Sequence, residues 1–456
     1  MRPTAVLNVV GLTRALMGAD TPHLNALAAD GSVAPIRAIT PAVTCSAQST
    51  FLTGTLPREH GIVGNGWYDR DLAQVMFWKQ ANRLVHGEKV WETARLRDPS
   101  CTVAKMFWWY NMYSTADWAV TPRPIYPADG RKIPDIYSHP ADLRDRLIAE
   151  LGEFPLFNFW GPTADIKSSQ WIADASACVD RWHSPTLLLT YLPHLDYNLQ
   201  RFGTSDPRIK ADVRASDEIC GALIRQFRER GRRVIVVSEY GLVDVSGPVH
   251  INRVLREAGL LAVREEIGAE ALDAGASDAF AVSDHQVAHV YVRNPARISD
   301  VKSMLERVAG IDAVLDRNAQ AVIGLDHERS GELVAIANAD RWFTYYYWLD
   351  DARAPDFART VDIHRKPGYD PAELFLDPTL TLPKLRIAAT LAKKMLGFRY
   401  LMEVIPLDAT LVRGSHGRVT AKLDDGPVCI SSEKGAVDDV VESTAVRDLI
   451  LRHLFE

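Results

Sequence analysis

The chain has 456 residues, of which 47% are hydrophobic and 24% charged, and its formal net charge is −6. This composition excludes collagen-like, low-complexity and largely disordered proteins, and the slight acidic excess argues against a nucleic-acid-binding protein. The five cysteines are scattered and include no C-x-x-C pair, which argues against a disulfide framework or a zinc knuckle.

Targeting signals are missing from the sequence pattern. The apolar segment 5–10 is too short for the hydrophobic region of a signal peptide, and no small-residue cleavage site follows it. No uninterrupted apolar run approaches the ~20 residues that a membrane-spanning helix needs. We therefore expect a cytoplasmic protein without a membrane span.

Three short apolar runs, 5–10, 186–191 and 233–238, are typical of strands that are buried on both faces of a parallel sheet. Stretches with helical periodicity lie between them, at 141–151 and 209–230, and Gly231 ends the second one. The alternation predicts an α/β fold with a doubly wound, mainly parallel sheet. Because Asp196 and Glu239 each follow a predicted strand, we expect both to face one crevice at the carboxyl ends of the strands.

The pattern changes in the region 268–362. Two runs, 288–292 and 332–336, look like strands, a helix-like stretch 298–308 lies between them, and 342–349 is densely aromatic. This mixture predicts a smaller inserted cap domain of α+β type. The predicted domains are therefore a core of residues 1–267, the cap 268–362, and a C-terminal part of the core at 363–456.

Several side chains could carry chemistry at the predicted crevice. Thr44 stands where a helix would begin, and a hydroxyl there can meet an anion or act as a nucleophile, although an ordinary helix cap is the simpler interpretation. Asp196 and Gln200 would share one face of a short helix. Glu239 could ligate a metal, act as a base or cap a helix. Three histidines lie beside acidic or small residues, namely His285, His364 and His416.

The segment 53–65 carries the run T-G-x-x-P-x-x-H-G-I-x-G-N, about forty residues after the first predicted strand. With the clusters above, it resembles the alkaline phosphatase superfamily, specifically the type I phosphodiesterase/nucleotide pyrophosphatase branch. The resemblance implies that Thr44 is a nucleophile, phosphorylated while it is bridged to a pair of metals, usually zinc. It places the following residues at ligand positions: Asp196, Gln200, Glu239, Tyr240 and His416.

The chain departs from the family pattern at several of these positions. The first metal-binding aspartate falls on Val10, and a ligand histidine falls on Gln200. The family motif S-D-H-G reads Ser-Glu-Tyr-Gly at 238–241, and the phosphate-binding asparagine falls on Ala47. Nitrogen ligands have been replaced by oxygen or removed, which argues against a pair of zinc ions.

The favoured prediction is a metal-dependent hydrolase that acts on a phosphate mono- or diester, or on a related small phosphorylated metabolite, through Thr44. Glu239 and Tyr240 would assist in catalysis. The predicted ligands of a single ion, zinc or else manganese, are Asp196, Glu239, His364 and His416, with His285 as the next candidate. The predicted substrate-binding residues are Gln200, Lys366 and Arg413, the last two because their charge could balance that of a phosphate.

Two other functions stay open. In one, the protein catalyses phosphoryl transfer or isomerisation of a polyol or phospho-metabolite, with Glu239 as acid/base and Tyr240 as hydrogen-bond donor or acid. In the other, it binds no metal and is a catalytically silent binding protein, whose aromatic runs 107–110 and 342–348 form a pocket or an interface. Burial in the core of the cap is the simpler interpretation of both runs. A homo-oligomer is compatible with either function.

Overall fold

The computed structural model describes residues 1–129, 131–363, 366–381, 392 and 401–456. Its strands are β1 (Thr4–Val9), β2 (Ser32–Arg37), β3 (Gly66–Asp69), β4 (Gln74–Phe77), β5 (Val103–Met106), β6 (Trp118–Pro122), β7 (Ile136–His139), β8 (Leu187–Leu192), β9 (Arg233–Val237), β10 (Val243–Asp244), β11 (Gly247–Val249), β12 (Val263–Glu266), β13 (Ala269–Leu272), β14 (Ala279–Asp284), β15 (Val287–Val292), β16 (Ile311–Leu315), β17 (Leu333–Ala337), β18 (Arg341–Phe343), β19 (Gly414–Ser415), β20 (Val428–Ser431) and β21 (Val441–Glu442). Its α-helices are α1 (Pro22–Asp30), α2 (Thr44–Thr53), α3 (Pro57–His60), α4 (Val90–Arg97), α5 (Asp142–Leu151), α6 (Ile166–His183), α7 (His194–Phe202), α8 (Ile209–Glu229), α9 (Ile251–Glu257), α10 (Ile298–Leu305), α11 (Arg317–Val322) and α12 (Val446–Phe455).

A nine-stranded sheet forms the centre of the molecule, in the order β21-β2-β20-β9-β1-β8-β5-β6-β7. All its pairings are parallel except those that β20 makes with β2 and β9, and the pairing of β7 with β6. Helices α6 and α8 pack beside the central strands. The prediction of an α/β fold with a mainly parallel, doubly wound sheet is confirmed.

The register of the three central strands decides where the functional side chains lie. Asn8 on β1 pairs with Tyr191 on β8 and with Val237 on β9, so all three strands end at the same edge. Every residue of β1 and β8 is buried, as the continuous apolar runs predicted. The residues that follow β8 and β9 therefore meet at one rim of the sheet.

A second sheet has the antiparallel order β14-β15-β17-β16 and lies within the predicted cap. A separate hydrophobic core is built on it, and the buried aromatic residues 342–348 belong to that core. The other aromatic run, 107–110, lies in the core of the large sheet instead, so its assignment to the cap was wrong. The domain boundaries at 267 and 362 stay a prediction.

The ends of the predicted elements lie within a few residues of the observed ones. The run 233–238 becomes β9, and the stretch 209–230 becomes α8, which ends one residue earlier. The helix predicted at 298–308 is shorter and ends at Leu305. Within the part of the chain that is described, no helix is both long and apolar enough to cross a membrane.

Candidate functional site

Thr44 is the first residue of α2, directly after the extended Val43, and its side chain is buried at the rim of the large sheet. Its Oγ1 lies 3.4 Å from the hydroxyl of Tyr240, which follows β9. The first N–H groups of a helix have no partner within the helix and give its N-terminus a partial positive charge. The structure therefore places a hydroxyl where an anion would be stabilised.

Glu239 lies beside Thr44 and is held by two amide groups. Asn8 Nδ2 and Gln48 Nε2 both donate to its Oε1, over 2.5 and 2.6 Å. Gln48 is fixed at its other end, because its Oε1 accepts a hydrogen bond from the backbone N–H of Trp109. The second carboxyl oxygen, Oε2, is buried and has no hydrogen-bond partner among the described residues. Burial raises the pKa of Glu239 to about 7, although the Gln48, Asn8 and Thr44 hydrogen bonds lower it.

Asp196 lies on α7 and has donors at both carboxyl oxygens. The hydroxyl of Tyr240 donates to Oδ1 over 3.2 Å, and Gln200 Nε2 donates to Oδ2 over 2.5 Å. The Gln200 contact joins residues four apart on one helical face, as the spacing predicted. Burial raises the pKa of Asp196 to about 7, against the lowering effect of these two hydrogen bonds.

His416 is neutral and lies in a stack of rings. Its Nδ1 is 2.9 Å from the carbonyl oxygen of Ala42, which can only accept, so Nδ1 carries the proton and Nε2 does not. Nε2 is 3.8 Å from Asp196 Oδ1. The ring lies flat on Tyr240, with centroids 3.6 Å apart, and the ring of His285 lies on its other side at 3.9 Å. Burial lowers the pKa of His416 to about 3.

A third buried carboxyl, Asp284, lies in a neighbouring group. The sequence analysis named His285 of this group as a candidate ligand but did not include Asp284 in the site. Asp284 accepts hydrogen bonds from the backbone and side chain of Asn65 and from the hydroxyl of Tyr369. Asn65 also accepts from the backbone N–H of Cys45 and so connects this group to α2. His285 contacts the Tyr369 hydroxyl over 3.0 Å. Asn65 ends the sequence signature, which was the one available signal for this group.

Thr44 opens into a pocket with aromatic walls. The pocket is small, with a volume of about 40 Å³, and it opens to solvent. Among the described residues, the lining includes no lysine or arginine; the lining residues are Thr44, Asn65, Trp78, Trp109, Phe159, Trp160, Tyr191, Pro193, Asp196, Tyr197, Tyr240, His285, Ile363, Tyr369 and His416. Because both lining histidines have lowered pKa values, none of these side chains brings a positive charge near neutral pH.

The two cationic residues predicted to bind phosphate do not line this pocket. The ammonium group of Lys366 is buried and donates to Glu373 Oε1 over 2.7 Å. Arg413 is exposed, and its backbone pairs with Gln200 and Val245. Neither side chain is among the residues that line the pocket at Thr44, and both assignments stay predictions. The remaining predicted ligand, His364, lies outside the described residues.

The residues that remain do not fit the two-metal centre that the resemblance implies. Val10 is buried and has no donor atom, and Ala47 has no polar side chain. The amide of Gln200 is bound to Asp196, and Tyr240 is stacked on His416. Across the described ranges, no group of three or more His, Cys, Asp or Glu side chains is arranged to hold a metal ion. We therefore derive no chemical step through a metal at this site.

Comparisons with known proteins are consistent with this fold. The model of the family described as type I phosphodiesterase/nucleotide pyrophosphatase matches residues 4–370. No curated protein sequence matches the chain. Phosphonoacetate hydrolase from Sinorhizobium meliloti 1021 is similar in structure, with a TM-score of 0.63 and 14% identity over 99% of this chain and 96% of that one.

Human ectonucleotide pyrophosphatase/phosphodiesterase 5 is also similar, with a TM-score of 0.61 and 12% identity over 99% of this chain and 95% of that one. The murine protein of the same name has a TM-score of 0.57 and 13% identity over the same shares of the two chains. At these identities the structural likeness shows the fold alone, while the family model covers most of the chain. The chain belongs to the type I phosphodiesterase/nucleotide pyrophosphatase family, a family of phosphodiesterase- and phosphatase-type hydrolases.

Proposed function

We propose that the protein hydrolyses a phosphodiester, with Thr44 as the nucleophile and Glu239 as its general base. The observation that carries this proposal is the position of the Thr44 hydroxyl: it begins α2, contacts Tyr240 and faces the pocket. Glu239 lies beside it with one carboxyl oxygen that has no partner among the described residues. A nucleophile with an adjacent, oriented base is the arrangement that covalent catalysis requires.

The proposed reaction has two steps. In the first, a bond forms between Thr44 Oγ1 and phosphorus, the Thr44 proton moves to Glu239 Oε2, and the bond to the leaving oxygen breaks. Tyr240 gives its proton to that oxygen. In the second, water attacks the phosphorylated Thr44 and returns a proton to Tyr240, while Glu239 returns its proton to the departing Thr44 oxygen. Proton transfer by positioned groups of this kind contributes typically about 10²–10⁴ to a rate.

The charge of the pocket favours a diester over a monoester. A monoester carries about two negative charges near neutral pH, whereas a diester carries one. In the part of the chain that the structure describes, the walls contain Asp196 and no lysine or arginine, and Glu239 and Asp284 are further buried carboxyls near them. Since like charges repel strongly in a poorly solvated site, the singly charged diester is the better match. The aromatic walls favour an apolar or ring-containing substituent on that diester.

The test compares bis-p-nitrophenyl phosphate with p-nitrophenyl phosphate as substrates of the purified protein. We expect turnover of the diester in excess of the monoester, and a loss of about 100-fold or more in Thr44→Ala. Ser46→Ala is the matched control, because Ser46 is a buried hydroxyl on the same helix that does not line the pocket. Undiminished diester hydrolysis by Thr44→Ala would rule the proposal out.

A silent binding protein is the second candidate, and the loss of ligand types at Val10, Gln200 and Tyr240 favours it. The two candidates differ in their response to phosphate esters. A protein that is inert with both esters and is recovered with a stoichiometric partner from its native host would be the binding protein. A deletion strain that accumulates a non-phosphorylated intermediate would instead indicate the non-hydrolytic enzyme.

A further inference from the structure

We infer that hydrogen bonds from the protein's own amides and hydroxyls have replaced the metal centre at this site, which folds and acts without a divalent ion. The chemistry of the donor atoms carries this inference. The part of the inference that concerns activity rests on the proposed function, whereas the part that concerns metal binding does not.

At Asp196 the replacement involves both carboxyl oxygens. Gln200 donates to Oδ2 and Tyr240 donates to Oδ1. A cation would be coordinated by these two oxygens. Here each oxygen already accepts a hydrogen bond from a neutral donor. His416 Nε2 is a nitrogen with a lone pair that lies 3.8 Å from Oδ1. Among the described residues, no group of three or more His, Cys, Asp or Glu side chains is arranged to hold a metal ion, whereas a catalytic zinc site has three protein ligands.

At Glu239 the replacement is by two amides. Asn8 reaches it from β1 and Gln48 from α2, and both N–H groups point at Oε1. Val10, at the family's ligand position on the same side of the site, contributes a buried apolar side chain. An oxygen that accepts two amide hydrogen bonds has little capacity left for a cation, and the single oxygen Oε2 is not a metal site by itself.

The ring stack also fills the space beside Asp196. Tyr240 lies parallel to His416, with 3.6 Å between ring centroids and 3° between ring planes, which is van der Waals contact. His285 covers the other face of His416. All three rings are buried. A metal between Tyr240 and His416 would have to separate these rings, which would expose apolar surface and lose their packing.

Four hydrogen-bond donors thus stabilise the carboxyls that would bind two metal ions in the related family. They are Asn8, Gln48, Gln200 and Tyr240. A hydrogen-bond donor stabilises a carboxylate as a cation does, but it is covalently part of the chain. A chelator can therefore remove nothing from this site. We expect the folded protein and its activity to be insensitive to metal removal.

The test measures metal content, stability and zinc affinity together. After dialysis against EDTA, elemental analysis of the wild-type protein should find substoichiometric zinc and manganese, and the melting temperature should be unchanged by EDTA or by added zinc. Diester hydrolysis should also survive dialysis. Stoichiometric metal that EDTA removes, with a fall in melting temperature, would overturn the inference even if no hydrolysis were ever detected.

A gain-of-function variant provides the reciprocal experiment. Restoring the family's ligand types with Val10→Asp, Gln200→His, Glu239→Asp and Tyr240→His should create zinc binding at least about 100-fold tighter than in the wild type, measured by calorimetric titration. If that variant fails to fold, Gln200→His with Tyr240→His supplies two added nitrogen ligands beside Asp196 and His416. Equal zinc affinity of the wild type and a folded restored variant would contradict the inference.

Discussion

The segment 53–65 and the ends of the three central strands belong to one site but have diverged to different extents. The segment keeps the family signature in full, whereas the strand ends have lost Asp and His at the positions of Val10, Gln200 and Tyr240. The contacts of the signature explain the difference. They hold α2 in place and do not involve a metal, so they are needed whichever chemistry the site performs.

His60 illustrates the structural role of the signature. Its Nδ1 accepts a hydrogen bond from the backbone N–H of Ile62, so its Nε2 carries the proton and donates to Thr50 Oγ1 on α2. Burial lowers the pKa of His60 to about 3, and the ring is neutral. The signature therefore identifies the scaffold of the family, while the strand ends decide the reaction.

Among the substitutions at the strand ends and in the signature, Glu239→Gln, just after β9, is expected to have the largest effect on activity. The glutamine amide oxygen can still accept from Asn8 and Gln48, so the fold should be kept, but the base is lost. We expect diester hydrolysis to fall about 10²–10⁴-fold with little change in stability, measured by steady-state kinetics and urea unfolding. Glu442→Gln, at an exposed ion pair with Arg37, is the matched control. Retained activity in Glu239→Gln would remove Glu239 from the mechanism.

His60→Ala, in the signature segment 53–65, should lower stability and leave turnover largely unchanged. It leaves two buried partners, on Thr50 and Ile62, without a hydrogen bond and opens a cavity. We expect the free energy of unfolding to fall by about 3 kcal/mol. Turnover of the protein that remains folded at low temperature should change little. The exposed His86 is the control, and His86→Ala should cost less than about 0.5 kcal/mol. Lost turnover with intact stability would show that the signature acts in catalysis.

Gln48→Ala tests where the two regions meet, because Gln48 lies on α2 and holds Glu239. Its loss removes one of the two donors to Oε1 and frees the N–H of Trp109. We expect kcat to fall about tenfold because Glu239 loses one of its two donors, with a smaller change in KM because Trp109 lines the pocket. Gln170→Ala on the exposed face of α6 is the control. A change in KM alone would instead indicate a contact with substrate.

Lys105 is expected to give the smallest effect, and it appears only as a pH dependence. Its ammonium group is fully buried and donates to the carbonyl oxygens of Trp109 and Tyr110 behind Gln48. Burial lowers the pKa of Lys105 to about 7, with a further lowering from Lys89. Because the unfolded chain holds this proton up to pH ~10.4, it binds more protons than the folded chain between these values.

The contribution of Lys105 to stability must therefore rise with pH across that window. Between pH 7 and 9 we expect the wild-type protein to gain roughly 2 kcal/mol relative to Lys105→Met, measured by urea unfolding at both values. Lys210→Met, on the exposed face of α8, should show no such difference. Parallel pH profiles of the wild type and Lys105→Met would contradict the prediction.

The sequence predicted the fold and the meeting of the strand ends because both follow from continuous apolar runs. Parallel strands that are buried on both faces must end at a common rim, and that rim brings Asp196 and Glu239 to Thr44. The sequence could not show that Gln48 and Asn8 bind Glu239. These hydrogen bonds join residues that are remote in the chain, and their pairing depends on how the fold packs. Gln48 lies one helical turn after Thr44, and that spacing is the signal that could have found it.

The positions of Lys366 and Arg413 outside the pocket lining have a related cause. Both lie close in sequence to residues of the site, but proximity in sequence does not fix the direction of a side chain. Lys366 is turned toward Glu373, seven residues later, with which it forms a buried pair. Arg413 stands before the turn that carries His416, and its side chain is exposed while the histidine points inward.

The contact between Tyr240 and His416 has a consequence for the evolutionary history of this lineage. Replacing Tyr240 with histidine would reduce the ring contact with His416. Val10 and Gln200 would still be unable to bind a metal. Each single reversion would thus lower the stability of the protein before any affinity for zinc could compensate. Descendants of this sequence are expected to retain the tyrosine and to adapt by changing the walls around it.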